Sequence, residues 1–231
     1  MFKGKKILAI TLARGGSKGI ANKNIADING KPLLRYTTDQ VQLSELIDNY
    51  IVSTDSPEIK AIAESSGVSC PFLRPAEYSS DASTSADALI HAVEFLEAAG
   101  QEYDYIVEVM ATNPLKIAED IDQCIKMAIE ENASSCVAVN RLYDQHPARI
   151  KFIENGVLKS FYPEVPESRR QDLSPPAYIR SGSIYVVTTE YLKTNRSRYS
   201  ANETLAYVLP DERVINIDEP NDLQMARIRL S

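Results

Sequence analysis

At 231 residues and 44% hydrophobic, the chain is long enough to bury a full core in one α/β domain spanning 1–231. A formal net charge of −7 excludes the broad basic face that nucleic-acid backbones require, so any cluster of cations here is local and suits a small anionic ligand. No apolar run approaches the about 18 residues of a membrane span, and no signal peptide opens the chain, so the expected location is the cytoplasm.

An apolar strand over 5–12 comes first, centred on Ile7-Leu8-Ala9-Ile10-Thr11-Leu12. A helix opening at Pro32 and running to about Leu46 follows, with proline at a first-turn position where its missing N–H costs nothing. Next come a strand over 50–53, a helix begun by Ser56-Pro57 and ended near Gly67, and a short strand around 70–73. Ser83 or Thr84 can cap the next helix, which runs to a stop at Gly100 and leads to a strand over 104–110. A helix from about 117 to 131 and a strand over 135–140 complete the alternation. Such alternation predicts an open, mostly parallel, Rossmann-like α/β sheet with helices on both faces.

After Asn140 the pattern changes. Glu154-Asn155-Gly156 signals a tight hairpin, and Pro163, Pro166, Pro175 and Pro176 forbid a long helix. Residues 141–180 therefore read as a small arm leaving the sheet, suited to a partner subunit or a lid. The sheet is expected to resume at Ile184-Tyr185-Val186-Val187, with a strand over 213–217 and a closing helix at about 220–230. Cys70, Cys124 and Cys136 lie far apart without a C-x-x-C pair and read as reduced, buried thiols.

The first strand runs straight into Ala13-Arg14-Gly15-Gly16-Ser17-Lys18-Gly19, followed by Lys23-Asn24. A glycine-rich turn after a buried strand leaves backbone N–H groups free to converge on an anion, and Arg14, Lys18 and Lys23 add three cations. The spacing matches neither a P-loop nor a dinucleotide fingerprint, so this polyphosphate loop is of another kind. Ligands of parallel α/β sheets lie beyond the carboxyl ends of the strands. There the chain places Ser53-Thr54-Asp55, Arg74-Pro75, Thr112-Asn113 and Asn216-Ile217-Asp218.

These segments, with Val52-Ser53-Thr54-Asp55, Leu73-Arg74-Pro75, Ser80-Asp81, Asn113-Pro114-Leu115-Lys116, Arg170-Gln171 and Gly182-Ser183-Ile184-Tyr185, resemble the acylneuraminate cytidylyltransferases, also called CMP-sialic acid synthetases, over essentially the whole chain. The resemblance implies attack by the anomeric C2 hydroxyl of a nonulosonic acid on the α-phosphorus of CTP, with pyrophosphate leaving. It implies that Arg14, Gly15, Ser17, Lys18 and Lys23 hold the triphosphate, with Arg14 and Lys23 stabilising developing charge. Asn24, Arg74, Ser83 and Ser85 would surround the cytosine and ribose, although a helix cap explains the two serines equally well.

The resemblance further implies Mg²⁺ at Asp218 and Asn216, no membrane or nucleic-acid partner, and a homodimer whose arm crosses to the neighbouring subunit. Asn216 stands where the family usually has Asp, an oxygen without charge that weakens a two-carboxylate site. Met110 stands where the family's glutamine reaches the sugar, and Lys116 replaces an arginine. In the arm, Arg149 and Arg170 would grip the C1 carboxylate, with Tyr185 lining the sugar pocket, although spacing does not choose between Arg169 and Arg170. His91 reads as structural, and His146 has the better claim to the sugar pocket. Two rivals stay open: a nucleotidyltransferase of this fold using another nucleotide or keto-sugar acid, and a nucleotide binder that has lost turnover.

Overall fold

In the computed structural model, which describes residues 1–16 and 19–231, a six-stranded sheet organises the chain. The strands are β1 (Ile7–Leu12), β4 (Asn49–Ser53), β5 (Tyr105–Val109), β6 (Ser135–Leu142), β9 (Ala177–Thr188) and β10 (Leu205–Val208), in spatial order β10-β6-β9-β5-β1-β4. The β1–β4, β1–β5 and β6–β10 pairs are parallel, whereas β9 runs against both of its neighbours. Two short ribbons lie outside the sheet: β2 (Asp27–Ile28) with β3 (Lys31–Pro32), and the hairpin of β7 (Lys151–Glu154) with β8 (Val157–Ser160).

Among the described residues six α-helices accompany the strands: α1 (Leu33–Gln42), α2 (Pro57–Ser65), α3 (Ser85–Ala98), α4 (Ala118–Glu130), α5 (Thr189–Asn195) and α6 (Pro220–Arg229). Alternation along β1 shows how they cover both faces. Ile7 and Ala9 pack with Ile121, Cys124 and Ile125 of α4, while Leu8 and Ile10 pack with Leu89, Ile90 and Val93 of α3. A strand buried on both sides needs apolar residues at every position, and that is why β1 reads Ile-Leu-Ala-Ile. Thr84 caps α3 through a reciprocal box with Asp87, fixing where the helix begins at the rim of the sheet. Cys70, Cys124 and Cys136 are buried free thiols.

Several boundaries differ from the sequence reading. Pro32 precedes α1 as its cap residue, and α1 ends at Gln42 rather than near Leu46. The segment at 70–73 makes only isolated bridges, Ile51 with Ser69 and Thr54 with Leu73, because Pro71 cannot donate to a ladder. No strand forms over 213–217: Ile215 and Ile217 turn instead onto Leu223 and Ala226 of α6, and the sheet edge is completed by Leu205–Val208. The excursion is also shorter than 141–180, since Leu142 pairs with Ala177 and both β6 and β9 reach into it, leaving 143–176 outside the sheet. Its hairpin turns at Asn155 (φ 51°) and Gly156 (φ 79°), as two residues of a type I′ turn must.

Candidate active site

A cleft of about 500 Å³ opens beyond the carboxyl ends of β1 and β5. Arg14, Gly19, Lys23, Asn24, Arg74, Ser83, Ser85, Met110 and Asp218 line it, so most of the residues expected to bind a nucleotide meet there. Gly15 is not among the lining residues; its N–H donates to Asp55 (2.8 Å), which fixes the turn beside the cleft. Ser17 and Lys18 lie outside the described residues. Gly19 is held so near the backbone of Asp218 that a Cβ would sit 2.3 Å from the Asp218 carbonyl oxygen. Only glycine permits that approach.

The floor is anchored to backbone on both sides. Lys23 Nζ donates to the Ile217 carbonyl (2.9 Å) and to Asp218 Oδ1 (2.8 Å), tying the loop after β1 to the segment before α6. Asn24 is buried and donates to the Arg14 carbonyl (3.0 Å), while Arg14 Nη1 donates to Asp81 (2.8 Å). Arg74 is only 5% exposed and holds Ser79 Oγ at 3.0 Å. Burial lowers its pKa and nearby Asp55 opposes the shift, so the guanidinium remains a fixed cation in the wall. Ser83 Oγ donates to the Ser80 carbonyl (2.7 Å), and Thr84, not Ser83, caps α3. Both serines stand at the positive end of that helix.

Asn216 and Asp218 adjoin: Asn216 Nδ2 donates to Asp218 Oδ2. The Asn216 amide oxygen faces Gly182, where a Cβ would lie 3.1 Å from it, and Asn216 is absent from the cleft lining, so of the two expected metal ligands only Asp218 presents oxygens to the cleft. Lys23 already partners the carboxylate.

The remaining residues of the sequence reading lie outside the cleft lining. Tyr185 is buried and absent from the cleft lining; the Arg198 guanidinium lies 4.2 Å over its ring. Arg149 and Arg170 converge on Asp144, at 3.5 and 3.8 Å, away from the cleft of their own chain. Arg170 stacks on Tyr143 at 4.7 Å, while Arg169 is bonded to Asp172. His146 is buried, with Nε2 against the Pro175 carbonyl (2.8 Å) and Nδ1 accepting from the Ala148 N–H, so its role is to shape the arm. His91 stacks against Phe72 and Tyr78. Lys116 is fully buried, donating to Thr37 Oγ1 (2.7 Å) and to the carbonyls of Met110 (2.7 Å) and Asn113 (2.6 Å), and burial pushes its pKa down to about 7. It braces the turn beneath the cleft rather than facing a ligand.

The sequence reading missed Glu108, which lines the cleft and pairs with Arg198. Its signal was a charged residue inside an otherwise apolar strand, Tyr105-Ile106-Val107-Glu108-Val109.

Known proteins are similar to this chain in sequence and in fold. The chain is 32% identical over 225 residues to the pseudaminic acid cytidylyltransferase of Campylobacter jejuni, covering 96% of this chain and 95% of that one. It is 31% identical over 224 residues to the N-acylneuraminate cytidylyltransferase of Escherichia coli, covering 96% of this chain and 51% of the longer relative. A CMP:2-keto-3-deoxy-manno-octonic acid synthetase solved with CTP shares the fold, with a TM-score of 0.71 at 15% identity over 97% of this chain and 98% of that one. The family model described as cytidylyltransferase matches residues 8–158, and the chain belongs to that family of nucleotidyltransferase enzymes.

Proposed function

We propose that this protein activates a nonulosonic acid with CTP, giving the CMP-sugar and pyrophosphate. The observation that carries the reading is the convergence in one cleft of the loop cations Arg14 and Lys23 with Asp218, Asn24 and Arg74. Full-length similarity to relatives named for pseudaminic and N-acylneuraminic acids supports the substrate class. The reaction asks little covalent work of the protein: the anomeric hydroxyl must stand in line with the α-phosphorus, and charge must be neutralised as pyrophosphate departs. Arg14 and Lys23 meet the phosphate charge at the N-terminus of α3, and a triphosphate role for Ser17 and Lys18 rests on the family resemblance alone. Arg74 and Asn24 supply donors to cytosine O2 and N3.

Asp218 would hold Mg²⁺, and Asn216 would join it as a neutral second oxygen by turning its amide oxygen away from Gly182. Bound there, the metal supplies Lewis-acid polarisation and screening of phosphate charge. The arm serves a homodimer. Ile153 is 73% exposed, Leu158 67%, Val157 57% and Phe161 54%, an apolar surface unsuited to water and suited to a second copy. In that assembly Arg149 and Arg170 reach the C1 carboxylate of a sugar in the partner's cleft. The setting is the cytoplasm, where CTP is available and the three buried thiols stay reduced.

Pyrophosphate release measured with CTP, Mg²⁺ and a panel of keto-sugar acids tests the assignment. Release with one sugar acid and CTP supports it. CTP binding without release for any of them favours the binding-only rival, for which Asn216 is the supporting observation, and faster turnover with another nucleotide favours a different transferase of the same fold.

A further inference from the structure

Lys116 is 1% exposed, and it ends a turn whose other side opens into the cleft. Its three N–H donors have three acceptors: Thr37 Oγ1 of α1 (2.7 Å) and the carbonyls of Met110 (2.7 Å) and Asn113 (2.6 Å). An ammonium satisfies all three, whereas a neutral amine has two donors and would turn a lone pair towards an oxygen. Charge compensation is poor. Among the described residues the ionised group acting on Lys116 is Asp120 of α4, whose carboxylate is already bonded to Arg213 (3.0 Å) and to the Tyr207 hydroxyl (2.9 Å). The three acceptors themselves are neutral. The cage therefore needs a proton that burial opposes, and burial brings the pKa of that nitrogen down to about 7.

The turn so held reaches the residues of the site. Met110 and Thr112 line the cleft, and the Met110 N–H donates to the Ser183 carbonyl (2.8 Å). The Thr112 carbonyl accepts from the Ile217 N–H (2.9 Å), and the Ile217 carbonyl accepts from Lys23 Nζ (2.9 Å), which also bonds Asp218. A continuous run of hydrogen bonds and short chain segments thus leads from one buried nitrogen to Lys23 and Asp218.

We propose that Lys116 is a positioning residue for the reaction, a role that rests on the function proposed above: its ammonium fixes the turn over 110–113, and the cleft keeps its working shape only while that nitrogen holds its proton. The folded protein gains stability as the buried charge is lost, while the cleft loses its brace, so stability and turnover respond to rising pH in opposite directions. A residue that merely supports the fold would move both the same way. In the intact wild type, the melting temperature should rise between pH 7 and pH 9 while kcat/KM falls about tenfold or more, as the protonated fraction declines. Lys116→Arg keeps its charge throughout that range and should hold its own kcat/KM within about threefold. Protection of the Met110 and Ile217 amides against hydrogen exchange, corrected for intrinsic rates, should fall with pH in the wild type with no substrate present. Equal pH profiles in the wild type and Lys116→Arg overturn the proposal, as does amide protection that does not change. Should the arginine variant fail to fold, amide protection in the wild type decides alone. A wild type that binds CTP yet turns over no sugar acid refutes the functional reading, while the exchange measurement still decides whether the proton holds the turn.

Discussion

The cleft and the arm carry similar side chains in opposite circumstances. In the cleft, Lys23 and Asn24 are each bonded to backbone carbonyls, and Arg74 is buried to 5% exposure. In the arm, Arg149 and Arg170 share the exposed Asp144, and the hairpin of the same arm carries Ile153 and Leu158, which are 73% and 67% exposed. Cations held by a core are in place before a ligand arrives, so little reorganisation opposes binding. Exposed cations in a peripheral arm acquire fixed positions only when another surface covers the arm. Under the proposed function, the nucleotide half is built within one chain and the sugar-carboxylate half is completed by a second.

That contrast is most severely tested in the cleft. Lys23→Ala or Arg14→Ala should lower kcat by about 10²-fold or more, since each removes charge stabilisation at the phosphates, while circular dichroism and melting temperature stay near wild type because neither residue is in the core. Near-normal turnover in both variants breaks the comparison at its stronger side. Next in size is the arm: Leu158→Asp should convert dimer to monomer in analytical ultracentrifugation and raise the sugar KM at least about tenfold, with CTP affinity unchanged. A dimeric Leu158→Asp protein would show that this hairpin is not the interface.

A smaller effect is expected at the metal. Asn216→Asp adds a charge to the oxygen pair and should lower the Mg²⁺ concentration for half-maximal rate several-fold; an unchanged titration would show that this side chain is not a ligand. The smallest concerns Lys116. Its pKa is lowered from 10.5 to about 7 by burial, with Asp120 opposing, so between those values the unfolded chain holds a proton that the folded protein has released. Stability should therefore rise as pH increases from 7 towards 10.5 and fall again on the way down. Melting curves at pH 7 and pH 9 should show this rise in the wild type and lose that part of it in Lys116→Met. Equal pH dependence in the two would show that Lys116 stays charged.

Much of this was legible in the chain. Continuous apolar runs separated by capped, amphipathic stretches fix an α/β sheet, because strands buried on both faces cannot alternate with polar residues. The loop from Arg14 to Asn24 announced itself by glycines and cations in an acidic protein, and Asn155-Gly156 by its left-handed turn chemistry. Ile215-Asn216-Ile217 has the same period-two pattern as a strand, yet Ile215 and Ile217 pack on α6 instead, and nothing local distinguishes the two outcomes. Lys116 likewise reads as a conserved-charge swap until its three buried acceptors are seen.

By itself the sequence determined the layer architecture, the place of the anion loop and the hairpin of the arm, since each follows from interactions within about ten residues. Only the tertiary structure decided that Lys23 meets Asp218 across 195 positions, that Glu108 is anchored by Arg198 across 90, and that Tyr185 turns from the cleft towards that arginine. Such pairings depend on which strands become neighbours, a choice made by burial of the whole sheet and by no residue's immediate surroundings.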